Sequence, residues 1–481
     1  MPFNIFRTAN ELRLSSWLFL KGLALIYLIA FITLSGQIAG LAGANGILPF
    51  SETLEHLTKI YGNSAWWRMP TVFWLNASDF ALQLACYLGA LLALMLLFGR
   101  WPQLALVGMF VLYLSLYHAA DTFLNFQWDL LLLEAGFLAI FLTRGPSVLV
   151  IFLYEFLLFR FRFLSGFFKL ESGDSAWAKL SALKYYFETQ PLPHLGSWYF
   201  HQLPEWLLTG GVLLTFFSEL IVPFFIFLPR KFRITAAIIT IGMQLIIIAS
   251  SNHNFVNLLV ILLCLFLLDD KIVGKIMPSK LIRKINSKLV KPSRTGTIIL
   301  LAAAVLIVNA NLSAILEVAT KIKLPDFLLK TTNLTLDYGI GHIYHIFPTM
   351  QTQRQELEIQ GSNDGQNWHS YGFKYKPGPL SKKPEFNVPH QPRLDWMMWF
   401  LPPQNPGDSY WYKQLLRRLH QGSPQVLSLF AHNPFENKPP KYLRVLAFDY
   451  KFTNTEEYKT SGNWWKRQFL GEFPHVKPRM P

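Results

Sequence analysis

Long apolar runs recur through the first two thirds of this chain and restrict it to very few kinds of fold. They lie near residues 17–36, 79–98, 103–119, 127–143, 147–164, 206–228, 234–250, 254–268 and 297–316. A helix needs about 20 mainly apolar residues to cross the hydrocarbon core of a bilayer, and it satisfies its backbone polar groups internally. The runs therefore predict a multispan α-helical membrane protein with about nine helices within residues 1–316.

The composition agrees with a membrane protein. Of the 481 residues, 52% are hydrophobic and 15% are charged, whereas soluble domains are on average about 25% charged. The formal net charge of +15 would suggest nucleic acid as the partner of a soluble protein, but basic loops beside membrane helices explain it here. We therefore expect the lipid bilayer as a partner, no nucleic acid and no cofactor.

The positions of the basic residues predict the orientation. If the N-terminus is cytoplasmic and the spans alternate, the cytoplasmic connections contain Arg100, Arg144, the segment PRKFR at 229–233 and the basic stretch 269–296. Lys and Arg are concentrated in cytoplasmic loops of membrane proteins, so this pattern favours a cytoplasmic N-terminus. Residues 317–481 then form an extracytoplasmic domain.

Two long loops, 37–78 and 165–205, fall on the outer side in this topology. Both are rich in aromatic residues and are interrupted by prolines, a composition typical of amphipathic segments at the membrane interface. The second loop contributes a motif of polar candidates for a site, namely Glu188, Gln190, His201 and Glu205.

The residues after 316 have a different pattern. QELEIQGSNDGQNWHSYGFKYKPG alternates apolar and polar residues around a turn at 363–365, and KYLRVLAFDYKF alternates again. Such alternation predicts strands, while WYKQLLRRLHQG has helical spacing that ends at Gly422. We expect a small, mostly β, sandwich-like domain with one or two helices.

Several long segments resemble the lipase maturation factor family. They are GANGILP, SGDSAWAKLSALKYYFETQPLPHLGSWYFHQLPEW, PHQPRLDWMMWF, NPFENKPP and GNWWKRQFLG, and they extend over nearly the whole chain. The resemblance implies a multispan membrane protein that helps exported clients, lipases in particular, to mature at the non-cytoplasmic face. It also implies the endoplasmic reticulum membrane for a eukaryotic member and the bacterial inner membrane for a prokaryotic one.

A second resemblance implies an enzyme. RFRFLSGFFKL resembles the transmembrane part of the vitamin K-dependent carboxylase superfamily, in which a lysine in such a context is the catalytic base, and Lys169 would match it. The segment NFQWD departs from the carboxylases, because Gln127 stands where they have a His. The alternative function is an integral-membrane enzyme that modifies an exported protein or a lipid-soluble substrate. We favour a factor without covalent chemistry.

Two carboxylates inside the predicted spans, Glu134 and Glu219, would join Lys169 as catalytic residues only in that enzyme. An unpaired carboxylate is costly in lipid, so it usually faces the interior of a bundle. The alternatives are structural pairs with Arg160, Arg162, Lys169 or an amide group. For Lys169 a further alternative is a lysine that anchors a helix end at the interface.

The segment PHQPRLDWMMWF, 389–400, has neither helical nor strand spacing. Its prolines exclude a central strand, and an arginine can form two parallel bonds to a carboxylate. We expect the segment to dock on the transmembrane helices, with a client-binding surface as the alternative. Its candidate residues are His390, Gln391, Arg393, Asp395, Trp396 and Trp399.

Histidines predicted near the outer surface do not suggest a metal centre. They are His118, His194, His201 and His253, and they lack the HxxxH or HExxH spacing of common zinc sites. We therefore expect no metal site.

Overall fold

The computed structural model describes residues 9–287, 293–320, 324–402 and 409–473. Most of these residues are helical. In chain order the α-helices are α1 (Arg13–Ser35), α2 (Ile38–Ala42), α3 (Phe50–Tyr61), α4 (Ala65–Arg68), α5 (Asp79–Leu97), α6 (Pro102–Ala119), α7 (Asp121–Leu124), α8 (Gln127–Ala139), α9 (Val148–Glu171), α10 (Ser175–Ala178), α11 (Ala182–Thr189), α12 (Leu195–His201), α13 (Glu205–Phe216), α14 (Arg230–Ser250), α15 (Val256–Leu263), α16 (Asp270–Val273), α17 (Ser279–Asn286), α18 (Arg294–Thr320), α19 (Asp326–Asp337), α20 (Arg393–Met398), α21 (Tyr410–His420), α22 (Pro424–Leu427) and α23 (Thr455–Ser461).

Among the described residues, six helices are long and apolar enough to cross a membrane. They cover Asn10–Ser35, Asp79–Leu97, Pro102–Ala119, Glu205–Phe227, Arg230–Ser250 and Arg294–Glu317. The chain is therefore an integral, multispan α-helical membrane protein, as predicted. The predicted count of nine helices is not confirmed.

The other three apolar runs are helical but differ from these six in length or charge. Helix α8 has 13 residues and α15 has 8, and a rise of about 1.5 Å per residue makes both shorter than the roughly 30 Å hydrocarbon core. Each run continues only as a 3₁₀ turn, Ile140–Leu142 or Cys264–Leu267. Helix α9 is long, but Glu155, Arg160 and Arg162 interrupt its apolar sequence.

The C-terminal region contains a four-stranded antiparallel sheet. Its strands are β1 (Arg354–Ser362), β2 (His369–Ser370), β3 (Tyr442–Phe452) and β4 (Trp465–Glu472), in the spatial order β2–β1–β3–β4. In the register of the central pair, Ile359 lies opposite Val445. The described residues of the long proline-rich connection between β2 and β3 include turns and helices. The described part of the region thus has one sheet with helices around it, where a sandwich has two facing sheets.

The membrane helices and the C-terminal region share one apolar core. It includes Phe123 beside α8 as well as Leu394 and Trp411 of the C-terminal region, and the rings of Phe123 and Trp411 lie 5.9 Å apart. Helix α18 extends beyond residue 316, where the sequence predicts the boundary between the two domains. That boundary stays a prediction. The core is therefore continuous from the membrane helices into the sheet region.

The first predicted outer loop is also packed against the C-terminal region. It contains α2, α3 and α4. Helix α2 lies so close to α22 that a Cβ atom on Gly40 would lie 2.5 Å from the backbone oxygen of Gln425. This close approach requires glycine at position 40, because no larger residue fits against that backbone.

Candidate functional site

Helix α20 holds the C-terminal region on the membrane helices through a buried ion pair. The Nη1 atom of Arg393 lies 2.5 Å from Oδ2 of Asp129, and its Nη2 atom lies 2.8 Å from Oδ1. Both side chains are at most 1% exposed. Tyr113 donates its hydroxyl to Asp129 at 2.6 Å, and Arg393 also donates to the backbone oxygen of Phe123. The two charges are thus paired and hydrogen-bonded, as burial requires.

Gln391 and the first residue of α20 contact two further parts of the membrane region: Gln37, which follows α1, and the turn between α14 and α15. Gln37 donates to the backbone oxygen of Gln391 at 2.9 Å and accepts from the backbone N–H of Arg393 at 2.8 Å. Asn254, between α14 and α15, donates to Oε1 of Gln391 at 3.0 Å. The segment therefore contacts the ends of α1, α14 and α15, both through its side chains and through its backbone.

The aromatic end of the segment packs on α8 and on the second outer loop. The rings of Trp396 and Trp128 lie 4.9 Å apart in an edge-to-face arrangement, a geometry that aromatic pairs prefer. Trp399 donates its indole N–H to the backbone oxygen of Thr189 at 2.6 Å. Four candidates, Gln391, Arg393, Trp396 and Trp399, thus contact the part of the same chain that precedes the C-terminal region.

Asp395 and His390 fix the chain on the other side of α20. Asp395 accepts from the backbone N–H groups of Tyr375 and Lys376 at 2.7 and 3.2 Å. Its own burial raises the pKa of this carboxyl, although Lys376 and Lys382 oppose the shift. The imidazole of His390 packs on the ring of Tyr375 at 5.5 Å, and burial lowers the pKa of His390 to about 4. His390 is therefore neutral near neutral pH.

The second outer loop joins the membrane region to the sheet. Glu188 accepts the backbone N–H of Phe452 at 2.6 Å, and Arg354 donates to the backbone oxygen of Glu188 at 2.9 Å. Gln190 donates to the backbone oxygen of Ser250, the last residue of α14, at 3.1 Å. These contacts place Glu188 and Gln190 in one joint between α11, the sheet and the end of α14.

The two other loop candidates are less tightly held. His201 lies 3.7 Å from the carboxylate of Glu188, but burial lowers the pKa of His201 and raises that of Glu188. The imidazole is thus neutral near neutral pH, and the contact is not a strong ion pair. Glu205 is exposed and pairs with Lys184 at the surface, where such pairs contribute little stability.

Lys169 and Glu219 form a buried pair at the end of α9. The ammonium nitrogen of Lys169 lies 2.8 Å from Oε2 of Glu219, and it also donates to the backbone oxygens of Ser165 and Ile346 at 3.2 and 3.0 Å. An ammonium group has three donors, so each of them has a partner here. Arg162 lies 3.7 Å from the same carboxylate.

Glu134 belongs to a different cluster. It forms an ion pair with Arg160 of α9 and accepts from the hydroxyl of Tyr344 at 2.9 Å. The backbone N–H of Gly341 donates to the same Glu134 oxygen, Oε2, at 3.0 Å. The three residues that would act together in an enzyme therefore divide into the Lys169–Glu219 pair and the Glu134 cluster.

Two parts of this arrangement escaped the sequence reasoning. Asp129 was not singled out, although an ionisable residue at the start of an apolar run is a recognisable signal. Arg354, Glu356 and Lys376 form a buried charged cluster in the sheet region, with Lys376 2.8 Å from Glu356. Arg354 and Glu356 are two residues apart on β1, so they share one face of the sheet. Lys376 lies outside the strands, and no local pattern places it beside Glu356.

The histidines lie apart from one another or bind other groups. His118 contacts the backbone oxygen of Asp337 at 2.9 Å, His194 that of Ile248 at 3.2 Å, and His253 the hydroxyl of Tyr186 at 2.7 Å. Among the described residues, no group of three His, Cys, Asp or Glu side chains could hold a metal ion.

Fold and site together define a class: a multispan membrane protein whose C-terminal sheet region is held on its membrane helices by a buried ion pair, Arg393–Asp129. The chain belongs to the lipase maturation factor family. Residues 14–275 match the lipase maturation factor transmembrane domain, and residues 340–475 match the lipase maturation factor C-terminal domain. The resemblance to the carboxylase superfamily is not confirmed.

Relatives from vertebrates match along most of their length. Lipase maturation factor 2 of Xenopus laevis is 32% identical over 96% of this chain and 82% of its own length. Lipase maturation factor 1 is 31% identical in both mouse and human, over 94% of this chain and 85% or 86% of the relative. No solved structure matches the chain.

Proposed function

We propose that this chain is a membrane-embedded maturation factor for secreted lipases that acts without covalent chemistry. The observation that carries the proposal is the match to proteins named lipase maturation factors, which extends over both the transmembrane and the C-terminal domain of that family.

The ion pairs support a non-catalytic role. A general base must have a free lone pair within reach of a substrate proton, whereas the Lys169 ammonium is held by one carboxylate and two backbone oxygens. Glu134 is likewise engaged by Arg160 and Tyr344. The enzyme alternative is therefore the less favoured of the two.

The segment 389–400 acts in this proposal as the element that fixes the C-terminal region. Residues 391–398 are buried, so they are not available to a client. A client then meets a surface whose position is set by the Arg393–Asp129 pair, and a rigid surface loses little conformational entropy on binding.

We also propose a cytoplasmic N-terminus and an extracytoplasmic C-terminal region. Two contacts support a common cytoplasmic end for the start of α1, the start of α14 and the basic stretch 269–296. The backbone N–H of Arg13 donates to Asp270 at 3.0 Å, and Arg230 pairs with Asp269. At the other end Gln37 contacts the C-terminal region. The membrane is that of the endoplasmic reticulum in a eukaryotic source and the inner membrane in a bacterial one.

Co-expression with a panel of secreted lipases tests the proposal. Cells that lack their own lipase maturation factors should secrete lipase of low activity per unit mass, and this chain should raise that activity for at least one lipase. Intact-mass spectrometry of the secreted lipase should show the same mass with and without the chain. A recurrent mass difference would instead support an enzyme, and unchanged activity across the panel would contradict a maturation role.

A further inference from the structure

An apolar cavity of about 160 Å³ lies between the second outer loop and two membrane-spanning helices, α13 and α14. Its walls are mostly apolar and include Trp177 and Phe187 from the loop. Both of these side chains are only 4% exposed. Apolar cavities of this size, about 150 Å³, stay dry and take up small apolar groups. The space therefore suits a hydrocarbon group better than water.

The side chains at the mouth of the cavity lie on the outer faces of membrane helices. Leu207 and Leu214 of α13 and Ile246 of α14 line the cavity, and each is at least 40% exposed. Apolar side chains that are exposed on a membrane helix face lipid tails. The mouth consequently opens to the side, toward the bilayer.

The polar groups that reach the cavity are already engaged. They include the paired Lys169 and Glu219, and Tyr186 and His253, which are joined at 2.7 Å. A charged or hydrogen-bonding group on an occupant would therefore find no unpaired partner among these residues. Its recognition depends on the apolar wall.

The local backbone is unusual in two places around the cavity. Glu219 lies on a π-helical segment, Phe217–Ile221, that follows α13, and such segments occur frequently at functional sites. Phe347, which lines the cavity, has a positive φ of 48°. A bulky residue in the left-handed region carries strain that the surrounding structure must hold.

We propose that this cavity binds the hydrocarbon chain of a membrane lipid, which enters sideways between α13 and α14. The cavity holds a segment of one acyl chain rather than a whole lipid, because its volume of about 160 Å³ matches a small apolar group. The lining extends along α13 from Leu207 to Thr215 and along the last two turns of α14, from Met243 to Ser250. The cavity therefore lies toward one end of both spans, and the lipid belongs to one leaflet. This inference goes beyond the maturation function and does not depend on it.

Two adjacent glycines on α13 provide a matched pair of variants. A Cβ atom on Gly211 would lie 2.6 Å from Cδ1 of Leu183, and both residues line the cavity. A Cβ atom on Gly210 has no atom of the described structure within 4 Å. Gly211→Leu thus fills the cavity, while Gly210→Leu adds the same side chain on an open face.

The test uses the full chain reconstituted in nanodiscs of phosphatidylcholine that carries a diazirine in one acyl chain. After irradiation, mass spectrometry should locate lipid adducts on the buried cavity residues Trp177, Phe187 or Phe347. These adducts should fall at least about fivefold in Gly211→Leu and stay at the wild-type level in Gly210→Leu. Adducts on exposed Leu91 of α5 provide the internal reference.

Adducts confined to exposed faces of the spanning helices would overturn the proposal, as would equal labelling of the cavity in wild type and Gly211→Leu. If Gly211→Leu does not fold, the wild-type map decides by itself. Labelling of Trp177 or Phe187 requires an acyl chain inside the protein, because both side chains are almost fully buried.

Discussion

Arg393 and Asp129 are 264 residues apart in the chain, yet the arginine donates two hydrogen bonds to the carboxylate and both side chains are buried. The pair joins α20 of the C-terminal region to α8 of the membrane region. A buried charge is stable only when it is paired. Arg393 therefore requires Asp129 beside it, and Asp129 requires Arg393. The relationship explains how a sheet region after the last candidate span is fixed on the membrane helices.

Removal of one member of this pair should destabilise the protein strongly. Arg393→Met leaves Asp129 as an unpaired buried charge, and such changes cost about 3–5 kcal/mol. The double variant Asp129→Leu/Arg393→Met should recover most of this loss, because buried pairs are often replaced by apolar residues without a net cost. Thermal unfolding of the purified protein in detergent measures both effects.

A surface ion pair gives the control for that comparison. Lys466 and Glu457 pair at 2.7 Å while both remain exposed, so Lys466→Met should change the free energy of unfolding by no more than about 0.5 kcal/mol. Equal losses in Lys466→Met and Arg393→Met would contradict a special contribution of the buried pair.

The Lys169–Glu219 pair should matter for folding and not for chemistry. Lys169→Met should lower stability because Glu219 then loses its closest cation, and Lys169→Met/Glu219→Gln should recover much of that stability by removing both charges. The double variant should still raise secreted lipase activity per unit mass. A folded double variant without any maturation activity would support Lys169 as a catalytic group.

Two glycines near the first outer loop should respond differently to the same change. Gly40→Ala forces a Cβ atom to within 2.5 Å of the Gln425 backbone in α22, and overpacking of this kind typically costs about 1–3 kcal/mol. Gly36→Ala meets no atom of the described structure within 4 Å and should be nearly neutral. A melting temperature that falls equally in both variants would argue against close packing of α2 on α22.

The protein should lose stability in mild acid. Burial lowers the pKa of His390 to about 4, whereas an unfolded histidine titrates near 6.5. The unfolded state therefore binds more protons between these values, so stability falls as the pH falls from about 6.5 toward 4. His390→Gln should flatten this decrease in a series of melts from pH 7.5 to 5, and an unchanged slope would exclude His390 as a contributor.

Sequence reasoning found the membrane class and the family, because these depend on local composition and on long motifs. The predicted count of about nine helices is not confirmed, since α8 and α15 end in 3₁₀ turns that an apolar run does not reveal. Sequence reasoning placed Arg393 in a docking segment but not Asp129 opposite it. Partners so distant in sequence are set by tertiary packing, and no local pattern encodes them.

We propose that a lipase matures only when the C-terminal region is fixed on the membrane helices. The most direct test compares secreted lipase activity per unit mass for wild type, Asp129→Leu, Arg393→Met and the double variant, at equal membrane levels of each. We expect a loss of at least about tenfold in each single variant and substantial recovery in the double variant. Wild-type activity in both single variants would contradict this proposal.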